Sequence, residues 1–272
     1  MRYFIELSYD GAPFGGWQIQ DNSVTVQEVV QRALSTLLKE EIAVTGAGRT
    51  DAGVNAVNYI AHFDSARLTP EEALSKATIL VYKLNAILPS GVAVHGIRTA
   101  PEPQRPADGS FSQDWHARYS ATSREYHYFI HFRKDPFIER YSWWLRQPLD
   151  LEKMNRACAA LIGEHDFSCF EKKGGNNATS ICRVSEARWE SYVPGHASLL
   201  GYPCGDGDYI VFTIRANRFL RNMVRAIVGS MVEIGRGRRP ESWIAELMEG
   251  GSRSDAGESV PGKALFLSKV GY

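Results

Sequence analysis

No stretch of this 272-residue sequence approaches the ~20 consecutive apolar residues that span a bilayer, which excludes a helical membrane protein. Neither charge sign is in excess, with 31 Lys+Arg against 31 Asp+Glu, so no acidic or basic tail dominates. The apolar share of 44% against 23% charged residues excludes wholesale disorder. Cysteine is sparse: Cys158, Cys169, Cys182 and Cys204 form no C-x-x-C pair, and they read as reduced thiols of a cytoplasmic protein. His165, Cys169 and Cys182 lack zinc-ligand spacing, and H-E-x-x-H, G-x-S-x-G and a Walker loop are all missing. The opening MRYFIELSYDG carries Glu6 and Asp10 inside its apolar stretch and reads as a strand, not a signal peptide. No repeat of about 20–50 residues is present, which excludes solenoids and propellers.

What is present is an alternation of strands and helices. Arg2–Tyr9 alternates β-formers, and a glycine-aromatic segment, APFGGWQIQ, follows it. Thr25-Val26-Gln27-Glu28 is a capping box that opens a helix with Val26, Val29, Val30, Ala33, Leu34, Leu37 and Leu38 on one stripe. Ile42–Ala47 and Val57–Phe63 read as strands with GRTDAGV between them. Thr69-Pro70 starts a second helix with the stripe Ala73, Leu74, Ala77, Leu80, Val81 and Leu84, and Val92–Ile97 is a strand. Residues 1–98 therefore read as β-α-β-β-α-β, the ferredoxin-like order. The Pro-rich segment 99–114 reads as a linker, and 115–272 as a second α+β half. There Asp150 caps a helix, Arg124–Phe132, Val184–Tyr192, Tyr209–Ala216 and Ala264–Val270 are strands, and Asn217 opens a long helix through Ile234.

Three features bear chemistry. Gly46-Ala47-Gly48-Arg49-Thr50-Asp51-Ala52-Gly53 sets one Arg and one Asp among small residues, where backbone turns tightly and a ligand can approach. An aspartate there can serve as nucleophile or base, and the arginine can pair with it or with phosphate. Alone, the segment equally suits a surface turn. Secondly, in residues 217–239 the arginines 218, 221, 225, 236, 238 and 239 face a single acid, Glu233. Arg218, Arg221 and Arg225 stand at i, i+3 and i+7, one face of the expected helix, and suit phosphate. Thirdly, Tyr126 and Tyr128 alternate on an aromatic strand, as base stacking or an ordinary core requires. A carboxylate pair of Asp51 with Glu6 or Asp10 for sugar-bond hydrolysis is a weaker alternative.

Taken together, these residues resemble the tRNA pseudouridine synthase A family. The likeness runs from Tyr9-Asp10-Gly11, Phe14 and Gly16-Trp17-Gln18 through Thr25–Glu28 and Gly48–Val54. It continues through His116–Ala121, Arg124, Tyr126, Tyr128, Gly163–Phe167, Asn217–Gly229 and Pro240–Trp243, nearly the whole chain. The resemblance implies an α+β pseudouridine synthase fold of two halves around a mainly antiparallel sheet with a central cleft, and a homodimer. It implies isomerisation of uridine to pseudouridine in the anticodon stem and loop of tRNA, with no metal or organic cofactor. By that likeness Asp51 is the catalytic aspartate, Arg49 its neighbour, Tyr126 the ring stacked on the target base, and Arg225 the partner of Asp51. Arg218, Arg221, Arg236, Arg238 and Arg239 are left as contacts for the tRNA backbone. The sequence departs from the family at Asn55, where histidine is usual, and its segments 99–114 and 194–207 are longer. A non-catalytic RNA-binding protein is the alternative from another class.

Overall fold

The computed structural model of the chain describes residues 1–100, 115–174 and 179–272. They form two compact units, Met1–Thr122 with Ser268–Tyr272, and Ser123–Leu267. Of the segment 99–114, only Thr99 and Ala100 fall within the described residues.

The first unit runs β1 (Arg2–Tyr9), α1 (Val26–Leu38), β2 (Val44–Gly46), β3 (Asn55–Asp64), α2 (Pro70–Ser75), α3 (Ala77–Ile87) and β4 (Val92–Thr99). Its sheet order is β4-β1-β3-β2 with every pairing antiparallel, as the β-α-β-β-α-β reading requires. Alternation buries Tyr3, Ile5, Leu7 and Tyr9 of β1. Helix α1 starts where the capping box places it, with the Thr25 hydroxyl accepting from the Glu28 amide, and its stripe Val26, Val29, Val30, Ala33 and Leu34 is buried. Each of its valines and Leu34 contributes about 1.5–3 kcal/mol by leaving water, and Ala33 less. The second expected helix starts at its Thr69 cap but breaks at Lys76 into α2 and α3. Of its expected stripe only Ala73 and Leu84 are fully buried, while Leu74 is 85% exposed.

On the other face of this sheet Phe4, Ala47, Ile60 and Ala117 form a small core with Trp115 and Val270 against it. His62 of β3 is buried there, and its Nδ1 accepts from the Ala117 amide, which requires the neutral ring. Burial, then the Arg2 guanidinium and His116, lower its pKa to about 4. Unfolded, the ring titrates near 6.5. Stability is therefore full above that value and falls as pH drops from about 6.5 towards 4, because the unfolded chain binds the proton first. The loss from this ring is at most about 3 kcal/mol. Chemical denaturation at pH 7 and 4.5 should show it, and His62→Gln should flatten the difference; an unchanged slope would clear His62 of this role.

The second unit contains β5 (Ser123–His131), β6 (Trp143–Trp144), α4 (Leu151–Cys158), β7 (Gly163–Asp166), β8 (Ile181–Ser191), α5 (Gly195–Leu200), β9 (Tyr209–Ala216), α6 (Met223–Gly235), α7 (Trp243–Gly250) and the start of β10 (Leu265–Gly271). Strands follow the order β10-β5-β9-β8-β7, with antiparallel ladders β5–β9, β9–β8 and β8–β7 and a short parallel pairing of β6 on β5. Asp150 caps α4 by accepting from the Lys153 amide at 3.0 Å. The fold is α+β with mainly antiparallel pairing, as expected.

The long helix expected from Asn217 requires correction. Helix α6 begins at Met223, after Asn222 adopts a left-handed conformation (φ 64°). Arg218 and Arg221 thus lie in the irregular segment before the helix, and the three arginines share no helical face. Deeper in α6, Gly229 meets the Glu258 carbonyl so closely that any Cβ would overlap it.

Candidate active site

The loop between β2 and β3, residues 47–54, carries Arg49 and Asp51. Three aromatic rings lie beneath it. Trp17 packs on Tyr59 with centroids 4.1 Å apart, and Tyr9 meets Tyr59 at 5.5 Å and Trp17 at 6.2 Å. Two of these rings are tethered to the loop on either side of Arg49. The Tyr59 hydroxyl donates to the Gly48 carbonyl, and the Tyr9 hydroxyl shares a 2.8 Å hydrogen bond with Thr50 Oγ1. From outside, the Trp17 amide donates to the Thr50 carbonyl, and Val54 N closes a turn onto the Asp51 carbonyl.

The glycine-aromatic segment thereby becomes intelligible. Gly16 stands at φ 105°, and a Cβ there would lie 2.5 Å from the Thr50 carbonyl oxygen. A non-glycine residue would pay both for the dihedral and for the collision. Residues 15–17 continue into α1, where Val26 N donates to the Gly16 carbonyl and Gln27 N to that of Trp17. The side chains of Gln27 and Gln31 then bind the Val44 carbonyl and amide, so the helix is fixed to the strand that leads into the loop.

Asp51 is half-buried and Arg49 exposed. Arg49 makes no ion pair among the described residues. The carboxylates considered as alternatives have structural tasks: Glu6 pairs with Arg98 at 3.3 Å, and Asp10 accepts from the Ala12 amide. Asn55 is buried, and its Oδ1 accepts from the Gly11 amide at 2.8 Å, tying the far end of the loop to the turn after β1.

Tyr126 and Arg225 belong to the second unit. Tyr126, on β5, is half-buried with its ring edge-on to Phe219 at 5.0 Å. Tyr128 is fully buried and donates to the Pro261 carbonyl, so only Tyr126 of the alternating pair offers a ring face. Arg225, on α6, donates from Nε to the Val260 carbonyl at 2.7 Å, and Val260 N returns a bond to the Arg225 carbonyl. Arg218 and Arg221 donate to the carbonyls of Thr179 and Lys173. Arg236 and Arg238 both pair with Glu233, and Arg239 lies over the Trp243 ring at 4.7 Å. Two guanidiniums on one carboxylate leave a net positive charge there.

Among the described residues no group of three or more His, Cys, Asp or Glu is placed to hold a metal ion, and no helix is long and apolar enough to cross a membrane. The contributions of Tyr9, Trp17 and Tyr59 beneath the loop, and of Asn55 at its end, escaped the sequence reading. Tyr9 and Trp17 carry the family likeness and Asn55 departs from it, but their roles, and that of Tyr59, emerge only once the fold brings them together.

The chain's comparisons with known proteins place it in the pseudouridine synthase class. The family model described as tRNA pseudouridine synthase matches residues 157–272. Relatives called tRNA pseudouridine synthase A align over the whole chain. That of Parabacteroides distasonis is 43% identical over 272 residues, covering 100% of this chain and 96% of its own. Those of Bacteroides thetaiotaomicron and Burkholderia thailandensis are 42% and 36% identical, again over 100% of this chain and 90% of theirs. The chain belongs to the tRNA pseudouridine synthase A family.

Proposed function

We propose that this protein isomerises uridine to pseudouridine in the anticodon stem and loop of tRNA, with Asp51 as the catalytic carboxylate. The observation that carries this reading is the loop 47–54, in which the Gly48 carbonyl and the Thr50 side chain and carbonyl are all held from outside while Asp51 stays half-exposed. The reaction breaks the N1–C1′ bond, turns the uracil and joins C5 to C1′. Nothing is added or lost overall, so one carboxylate suffices: it attacks the ribose or the base, or accepts a proton. The target base must leave the stack, and Tyr126 holds it by its ring face. Arg49 contacts phosphate or the carboxylate. Arg236, Arg238 and Arg239 contact the tRNA backbone, whereas Arg218 and Arg221 support the carbonyls they bind. The exposed apolar side chains Leu74, Ile79 and Tyr82 on α2 and α3 suit a second copy of the chain, and a homodimer in the cytoplasm is the form we infer.

Incubation with tRNA tritiated at uridine C5 should release tritium without free uracil. Free uracil would indicate a hydrolase, and binding without release a non-catalytic RNA-binding protein. In the same assay Tyr126→Phe should retain most turnover because its ring still stacks, whereas Tyr126→Ala should lose about 10–100-fold. Equal losses in the two variants would remove stacking as the role of Tyr126.

A further inference from the structure

The segment between β1 and α1 touches the loop 47–54 at two places. At Gly16 and Trp17 it meets the Thr50 carbonyl, and at Gly11 it meets the exit of the loop. A Cβ on Gly11 would stand 2.2 Å from the Val54 carbonyl oxygen and 2.7 Å from the Gly53 carbonyl carbon, so main chain lies directly on main chain there. Asp51 falls between the two contacts in sequence. From Asp51 the chain makes one tight turn, with Gly53 at φ 76° and Val54 N donating to the Asp51 carbonyl at 3.1 Å.

The contact at Trp17 is a bond between main-chain groups, whereas the contact at Gly11 is held by one side chain. Asn55 is 2% exposed, and its Oδ1 accepts the Gly11 N–H at 2.8 Å. A donor opposite it selects the oxygen of the amide, so the direction in which Asn55 faces is fixed. At that burial water cannot take over as acceptor, and an orphaned Gly11 N–H is strongly disfavoured. Gly11 is itself anchored. Phe14 N donates to its carbonyl, Asp10 N donates to the Gly91 carbonyl just before β4, and Asp10 Oδ1 accepts from Ala12 N.

The geometry points to Asn55 as a positioning residue for Asp51, acting through the Gly11 amide and the turn 51–54. The inference rests on the role proposed for Asp51. What position 55 demands is a buried, uncharged acceptor one bond beyond Cγ. Neutral histidine meets that demand, because its Nδ1 is bonded to Cγ as Oδ1 is in asparagine. The asparagine of this chain and the histidine usual in the family thus present the same acceptor to the same amide. Leucine has the branching of asparagine and no acceptor.

The test compares the wild-type chain, Asn55→Leu and Asn55→His at pH 8, where the imidazole is neutral. Two readouts are taken: tritium release from C5-labelled tRNA, and hydrogen exchange at the Gly11 amide. Asn55→Leu should lose about 10–100-fold in kcat with KM for tRNA within about twofold, because the loop shifts while the RNA contacts remain. Its Gly11 amide should exchange at least about tenfold faster. Asn55→His should recover both quantities to within about threefold of wild type. Wild-type kcat in Asn55→Leu, equal losses in the two variants, or a loss confined to KM overturns the positioning role. Should Asn55→Leu not fold, Asn55→Ala takes its place, and collapse of both makes Asn55 a residue of the fold alone and overturns the inference. The two readings fail separately. Absence of release by the wild type retires the enzyme, whereas unchanged Gly11 exchange in Asn55→Leu retires the clamp whether or not tritium is released.

Discussion

Asp51→Asn should fold and bind tRNA as the wild type does, yet release tritium from C5-labelled tRNA at least about 10³-fold more slowly. The amide keeps the shape of the carboxylate but can neither attack nor accept a proton. The loop around it is held by contacts that do not involve its charge: the Tyr59 and Tyr9 hydroxyls, the Trp17 amide and the Val54 turn. Thermal unfolding then reads separately what the carboxylate itself contributes to the hairpin. Filter binding, unfolding and tritium release on one purified sample check all three. Substantial turnover would remove Asp51 from the reaction, and collapse of the fold would show that its charge also supports the hairpin.

The second large effect is expected at a residue without a side chain. In Gly16→Ala the new Cβ would stand 2.5 Å from the Thr50 carbonyl and 3.1 Å from the Asp51 carbonyl carbon, on a backbone at φ 105°. Both obstacles are main chain, so no rotamer relieves them. The dihedral alone costs about 1–3 kcal/mol. Relief requires the loop to move by a sizeable fraction of an ångström, and a misplacement of about 1 Å lowers turnover by about 10²-fold. We expect turnover to fall by that order with KM for tRNA little changed, together with about 2 kcal/mol less stability. A variant with wild-type turnover would show that the position of Asp51 is not set by residues 15–17.

Much of this was legible in the sequence where one local rule decides. Arg2–Tyr9 and Tyr209–Ala216 are strands over the residues where alternation and β-formers place them. Helix α1 begins at its capping box, because a hydroxyl followed three residues later by glutamate satisfies amides whatever else is nearby. The reading failed where a single backbone dihedral overrides periodicity. Arginines at i, i+3 and i+7 look helical, but the left-handed Asn222 resets the phase between Arg221 and Arg225. Lys76 likewise splits an apolar stripe that spacing alone makes continuous. At the site, the small-residue loop announced itself by composition, whereas its supports did not. Tyr9 and Tyr59 lie fifty positions apart, and only antiparallel register brings their hydroxyls to the two sides of Arg49.

That the loop is wired on all sides to main chain and hydroxyls has a consequence for where motion occurs during turnover. On the role proposed for Asp51, a carboxylate held by these contacts keeps its place, and the conformational work falls on the nucleic acid. The extrusion barrier is then a property of the helix being opened, and it rises with the stacking and pairing of the uridine concerned. On that role, a loosely stacked uridine is expected to be converted sooner than a stacked and paired one. The order of modification along one substrate is then expected to follow the mechanics of the RNA.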